Sequence, residues 1–152
     1  MAKGSGRETD PLVGFQFRLE VGGKITGYFS EVTGIGSEHE IIEHKVVTND
    51  GHEVIQKIPG RLKWQDVALK RGITDNLQVW EWRQLVEEGK MKDARMNCSI
   101  IMMDRNYADA ARWDFVNAWP SKVTGPSVKS DSNDIGIEEI GLVHEGMKRT
   151  KV

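Results

Sequence analysis

Apolar and polar side chains alternate along most of this chain, with a period of two. Phe15, Phe17, Leu19 and Val21 interleave with Gln16, Arg18 and Glu20, which predicts a strand with one wet face. Gly22-Gly23 marks a turn, and Ile25 to Val32 continues as a second strand. Glu38 to Thr48 is rich in β-branched residues and predicts another, turned back at Asn49-Asp50-Gly51. A two-residue Asp50-Gly51 turn would set Val47 opposite Val54 and Val46 opposite Ile55. Pro59-Gly60 would then end the returning arm, so the hairpin spans about 44–60. Leu62 to Arg71 gives a further strand, broken by Gly72.

Farther along, Ala94, Met96, Cys98, Ile100 and Met102 share one parity, with Arg95, Asn97 and Ser99 on the other. The turn Asp104-Arg105-Asn106 leads into a strand where Trp113 and Phe115 alternate with Arg112 and Asp114. Trp119 follows, and Pro120, which has no backbone donor, must stop or bend this strand. In the last strand, Ile135 to Glu145, apolar parity shifts between Ile137 and Ile140, which makes Glu138-Glu139 a candidate bulge. One segment leaves the period of two. Asp75 with Gln78 reads as a capping box, Leu77, Trp80 and Leu85 fall near helical spacing, and Gly89 stands at C′. Trp82 lies off that stripe, so it is either exposed or turned toward another chain.

The pattern predicts a mainly β fold, an antiparallel β-sandwich or barrel of seven or eight strands with one flanking helix at about 75–88. Residues 1–10 read as a flexible tail, 11–149 as one domain, and 127–133 as a loop. Lys148, Arg149 and Lys151 belong to a short basic end, with 150–152 as the C-terminal tail.

Composition narrows the class. The 152 residues suffice for one sizeable core. With 21 basic against 23 acidic side chains there is no global field for nucleic acid or an anionic membrane. A single cysteine, Cys98, excludes an internal disulfide and fits a reducing compartment. No apolar signal core or membrane-spanning run occurs, so neither a signal peptide nor a membrane anchor is expected.

Candidate chemistry is sparse. His39 and His44 superficially suggest a zinc-protease motif, but they are five residues apart and fall on opposite faces of a strand. His52 and His144 lack partners at ligand spacing, and no nucleophile elbow, phosphate loop or dinucleotide fingerprint is present. No catalytic residue, cofactor-binding residue or metal ligand is assigned, and an enzyme is not expected. Lys57, Arg61, Lys63, Lys70 and Arg71 form a modest basic cluster, diluted by acidic neighbours; a β-rich module binding peptide or nucleic acid is the alternative it leaves open.

Four stretches, DPLVGFQFRLEV with GYFSEVTGI, IPGRLKWQDVALKRGITDNLQVWEW, RWDFVNAWPSKVTGP and IGIEEIGLVHEGMKR, lie in this order between Asp10 and Arg149. Together they resemble the tail-tube proteins of T4-type contractile phages and the inner-tube proteins of contractile injection systems. The family motif includes Trp113, Phe115, Trp119 and Pro120. The resemblance implies a structural protomer that forms hexameric rings stacked into a tube, assembled in a bacterial cytoplasm and carried in a phage tail or injection particle. A sheath, baseplate and spike proteins would be its partners, and DNA or effector proteins would pass through the lumen. A tube-initiating or adaptor ring at the baseplate would share the fold. In that role the arm residues Val46, Val47, Asn49, Asp50, Gly51, Val54 and Ile55 would lie on a neighbouring subunit. The wet-face residues Arg18, Glu20, Arg95, Asn97, Arg112 and Asp114 would line the bore.

Overall fold

The computed structural model describes residues 16–126 and 136–152. Phe15, Ile135, the N-terminal tail and the 127–133 loop lie outside the described residues.

Two antiparallel sheets share one long strand. In the first, β1 (Gln16–Val21) lies between β2 (Lys24–Phe29) and β7 (Met96–Met103). β7 then pairs with the first part of β8 (Asp109–Thr124), whose other side takes β10 (Gly146–Thr150). In the second sheet the last part of β8 pairs with β9 (Ile137–Val143), followed by β6 (Val67–Gly72) and the short β3 (Glu31–Thr33). The predicted aromatic strand is therefore the corner of the sandwich. Pro120 bends it without ending it: pairing with β7 stops at Ala118 and pairing with β9 begins at Trp119. Asn117 takes a φ of 49° at this point, and the ladder is irregular between Pro120 and Lys122. A strand that changes sheets needs such a local break.

The predicted strand Ile25–Val32 is also split. β2 belongs to the first sheet and β3 to the second, with only Ser30 between them. These two corners make the sandwich barrel-like. Between the sheets lie Leu19, Phe29, Ile100 and Phe115 against Val67, Leu69, Ile140 and Leu142, all essentially without solvent contact. Each contributes about 1.5–3 kcal/mol of transfer free energy before ordering costs.

The helix α1 (Gln78–Glu87) packs mainly on β8 and more lightly on β2. Gly89 is at C′ as predicted, with φ 78°. The amide of Lys90 donates to Leu85 and that of Gly89 to Val86, the double bond of a Schellman end. The start differs from the prediction. Asp75 does not cap the helix; the Asn76 side chain accepts from the Gln78 amide at 2.9 Å. The inner face differs too. Val79 and Trp82 are buried, Leu77 is exposed, and Trp82 Nε1 donates to the Ala94 carbonyl at 2.7 Å. A second short helix, α2 (Met91–Ala94), holds Ala94, which the alternation had placed in the following strand.

Two further predictions are corrected at the end of the chain. β6 and β9 pair without a register shift, so Glu138-Glu139 is no bulge. The parity stays regular because Glu138 itself points into the core, 6% exposed, and meets the equally buried Arg71 at 3.1 Å. The basic end is no free tail either, since Lys148 and Arg149 lie in β10, and Arg149 stacks over the Trp113 ring at 5.8 Å.

Candidate assembly surfaces

The arm is a separate two-stranded ribbon, β4 (Ser37–Val47) with β5 (Glu53–Trp64), longer than the predicted 44–60. Pro59-Gly60 does not end it. Pro59 lies within β5, where a ribbon strand has a solvent side that needs no donor. The turn differs by one residue from the prediction. Thr48 pairs across to His52 and Gly51 takes φ 80°, leaving a three-residue Asn49-Asp50-Gly51 loop. Val46 therefore faces Val54, Val47 faces Glu53, and Ile55 faces Lys45. The slip in register changes which side chains share a face: Val46 now lies with Val54 and Val47 with Ile55, where the prediction joined Val47 to Val54 and Val46 to Ile55.

Among the described residues, neither arm strand packs substantially on any other element. Ile41, Ile42, Val47, Val54, Ile55, Ile58 and Leu62 are all exposed, Val47 to 72% and Ile41 to 67%. The sequence reading missed Ile41, Ile42, Ile58 and Leu62, although they continue the same aliphatic run. An isolated two-stranded ribbon is marginal in water.

The arm's root, by contrast, is pinned. The Gln65 amide donates to the Gly36 carbonyl at 3.1 Å. Gly34, at φ 81°, passes so close to Asp66 that a β-carbon there would lie 2.0 Å from the Asp66 carbonyl oxygen. Trp64 packs on His144 at 5.6 Å between ring centres, and His144 meets Phe115 edge-on at 4.8 Å. Both His144 nitrogens are buried without a hydrogen-bond partner. Burial lowers its pKa; the nearby Gly146 and Gln65 backbone groups and Asp66 oppose this without reaching bonding geometry.

The second surface is the outer face of the first sheet. Ladder partners place Glu20, Ser99, Asp114 and Lys148 in one row, with Arg18, Ile101, Arg112 and Thr150 in the next. Asn97 shares this face near the strand's start, so five of the six predicted bore residues come together. Arg95 does not join them; it follows α2 as its C-cap. The charges neutralise one another locally. Arg18 holds Asp109 through two bonds of 3.1 and 3.2 Å and Glu20 at 3.3 Å. The Asp109 hydrogen bond raises the Arg18 pKa. Arg112 meets Asp114 at 2.9 Å, and Asp114 also accepts from Ser99 and Thr150. Burial works against the Asp114 carboxylate, but these donors outweigh it and hold its pKa below the ordinary value.

The remaining candidates lose their chemistry in three dimensions. His39 and His44 face Leu62 and Gln56 respectively, and among the described residues no three potential ligands come together. Burial pushes the Cys98 thiol up to about 12, so it is an inert core side chain. The basic cluster is dispersed, because Lys57 faces Glu43, Lys63 faces Glu38, Lys70 lies between Glu31 and Glu139, and Arg71 is buried. No helix among the described residues is long and apolar enough to cross a membrane.

The sequence pattern of T4-like virus tail tube protein gp19 matches residues 13–148. The chain belongs to that tail-tube family. Its members are structural proteins rather than enzymes. No curated protein matches the chain significantly in sequence. Solved structures share its fold. A chain of the sheath–tube complex of the extracellular contractile injection system PVC, in its extended state, aligns with TM-score 0.69 at 21% identity, covering 95% of this tube-family chain and 94% of that one. A chain of the tube-terminating cap of the anti-feeding prophage aligns with TM-score 0.69 at 19% identity over 100% of both. Hcp1 from Flavobacterium johnsoniae aligns more distantly, with TM-score 0.50 at 14% identity over 88% of this chain and 93% of that one.

Proposed function

We propose that this chain is the protomer of the inner tube of a contractile tail or injection system. Six copies form a ring, and the rings stack head to tail into a filament, since that contact does not close on itself. The carrying observation is the hairpin Ser37–Trp64, whose exposed aliphatic side chains lie in a ribbon that packs on no other element substantially among the described residues. The first sheet adds support, because among the described residues β2 and β10 each leave one edge unpaired. Exposed edges invite pairing with another chain, and closing a ring removes them.

In the ring, the outer face of the first sheet lines the lumen. Its Arg18–Glu20–Asp109 and Arg112–Asp114 groups give a wall that is charged but locally neutral. Such a wall does not hold DNA phosphates by counterion release, so DNA or an effector protein can slide past. Residues 11–149 act as one tube domain, assembled in a bacterial cytoplasm around a baseplate and spike and inside a sheath.

A terminal or baseplate-adaptor ring is the second reading, favoured by the equal TM-score of 0.69 for the tube-terminating cap. Electron microscopy of the purified protein separates the two. Filaments of stacked rings support the main tube, and single rings that never stack support the cap or adaptor.

A further inference from the structure

The hairpin has two chemically different faces, and its register shows which one is built to be covered. Ladder pairs Ile42–Ile58, His44–Gln56 and Val46–Val54 put these six side chains on one face, continued at the tip by Thr48 and His52. From the β5 irregularity outward, this face carries no carboxylate, lysine or arginine. The opposite face carries Glu43 against Lys57, Lys45 against Ile55 and Val47 against Glu53. Four formal charges there are exposed to water. Covering them would cost desolvation that the apolar neighbours could not offset.

We propose that the face of Ile42, His44, Val46, Val54, Gln56 and Ile58 is the one that seats on a second copy of this chain, and that His44 at its centre makes the contact proton-sensitive. The inference rests on the tube reading above and selects one of two faces within it. The occupant follows from area. Six residues of a two-stranded ribbon cover about 200 Å² in plan, roughly a quarter of the ~800 Å² per partner that a stable complex buries. Such a face cannot hold an unrelated protein by itself. In a ring or stack every copy gives one arm and receives one, and the free β2 and β10 edges add to the same assembly.

His44 is flanked along β4 by Ile42 and Val46 and across the ladder by Gln56, with Val54 and Ile58 diagonal to it. On this face the titratable side chains nearest to His44 are Glu40, four residues back along β4 at the ladder irregularity, and His52 at the tip, and neither is a ladder neighbour of His44. Histidine is the side chain whose charge ordinarily changes between about pH 5 and 8. A neutral ring can be covered among aliphatic side chains; a charged one resists. Covering the face therefore favours the unprotonated form, so assembly weakens as the pH falls from 7.5 to 5.5.

The test measures the critical concentration for assembly by light scattering and microscopy at pH 7.5 and 5.5. Ile42→Lys and Val54→Lys should raise it about a hundredfold or abolish assembly, whereas Ile41→Lys and Val47→Lys, on the other face, should leave it within about threefold of wild type. His44→Gln should remove most of the pH dependence, and His39→Gln, on the opposite face, should retain it. Since the substituted positions lie in the ribbon, which packs on no other element substantially among the described residues, circular dichroism of each variant should match wild type. Equal effects from the two lysine pairs, or an unchanged pH profile in His44→Gln, would overturn the inference. A deletion of residues 49–54 that still assembles normally would instead overturn the arm's role altogether.

Discussion

Removing either partner of the Arg71–Glu138 pair should destabilise the body of the protein more than removing any of its surface ion pairs. Both side chains are buried, 4% and 6% exposed. Their hydrogen bonds leave little unmet: Arg71 Nε donates to Glu138 at 3.1 Å and its Nη2 to the Asn76 carbonyl at 3.2 Å. Trp80 Nε1 donates to the other Glu138 oxygen at 3.1 Å, and the guanidinium lies 5.1 Å from the Phe29 ring centre. Glu138→Leu leaves an unpaired guanidinium in the core, which costs roughly 3–5 kcal/mol. At about 2–4 °C per kcal/mol for a chain of this size, Tm should fall by roughly 6–20 °C. Arg71→Met should do the same by stranding the carboxylate. The double variant should recover most of the loss, since a buried pair replaced by apolar side chains is near neutral. It should fall short of wild type by about 1 kcal/mol, because the Asn76 carbonyl and Trp80 indole lose a partner. Urea unfolding of all four proteins, below the concentration where they assemble, gives the coupling free energy. Single variants within about 0.5 kcal/mol of wild type, or losses that simply add in the double, would refute the reasoning.

Three further outcomes follow from the site geometry. Deleting Asn49 to Val54 should leave the Tm of the body within a few degrees while abolishing tubes; normal tube yield would count against the arm. Tubes of Glu20→Lys/Asp109→Lys should retain short DNA in a filter assay, with retention lost at high salt, because Arg18 then has no counter-charge. No retention at low salt would take this face out of the lumen. For His144, the lowered pKa means that the unfolded chain binds the proton more readily, so its contribution is complete above about pH 6.5 and lost as pH falls below it. His144→Phe should therefore flatten the decline in the urea midpoint between pH 7.5 and 5, and an unchanged decline would assign the acid sensitivity elsewhere.

Much of the architecture was legible because most strands have one wet face and so carry their period openly. Leu19, Cys98, Ile100 and Phe115 were all placed inward by alternation alone, and all are buried. The misses have a common cause, polar or local geometry that alternation does not encode. Glu138 broke the apolar pattern because its partner Arg71, 67 residues away, is invisible to a local reading. Trp82 looked misplaced because its indole is satisfied by Ala94, beyond the helix it belongs to. In the hairpin, Asp50-Gly51 suggests a two-residue turn, but Gly51 closes a three-residue loop, which shifts every pair by one. β10 reads as a basic tail because Lys148 and Arg149 lie on opposite faces of a strand whose apolar content is mainly Met147. The candidate surfaces followed the same division. The common face of Arg18, Glu20, Asn97, Arg112 and Asp114 was recoverable from parity, except for Arg95, which precedes the strand. The two faces of the arm were not, because their assignment depends on register.

The most direct test of the account is cryo-electron microscopy of the purified 152-residue chain at neutral pH across a concentration series. The account predicts six-fold rings that stack into hollow filaments, with the Ser37–Trp64 hairpin of each copy resting on another. A solution that stays monomeric at every concentration, or filaments in which that hairpin projects free into solvent, would contradict it.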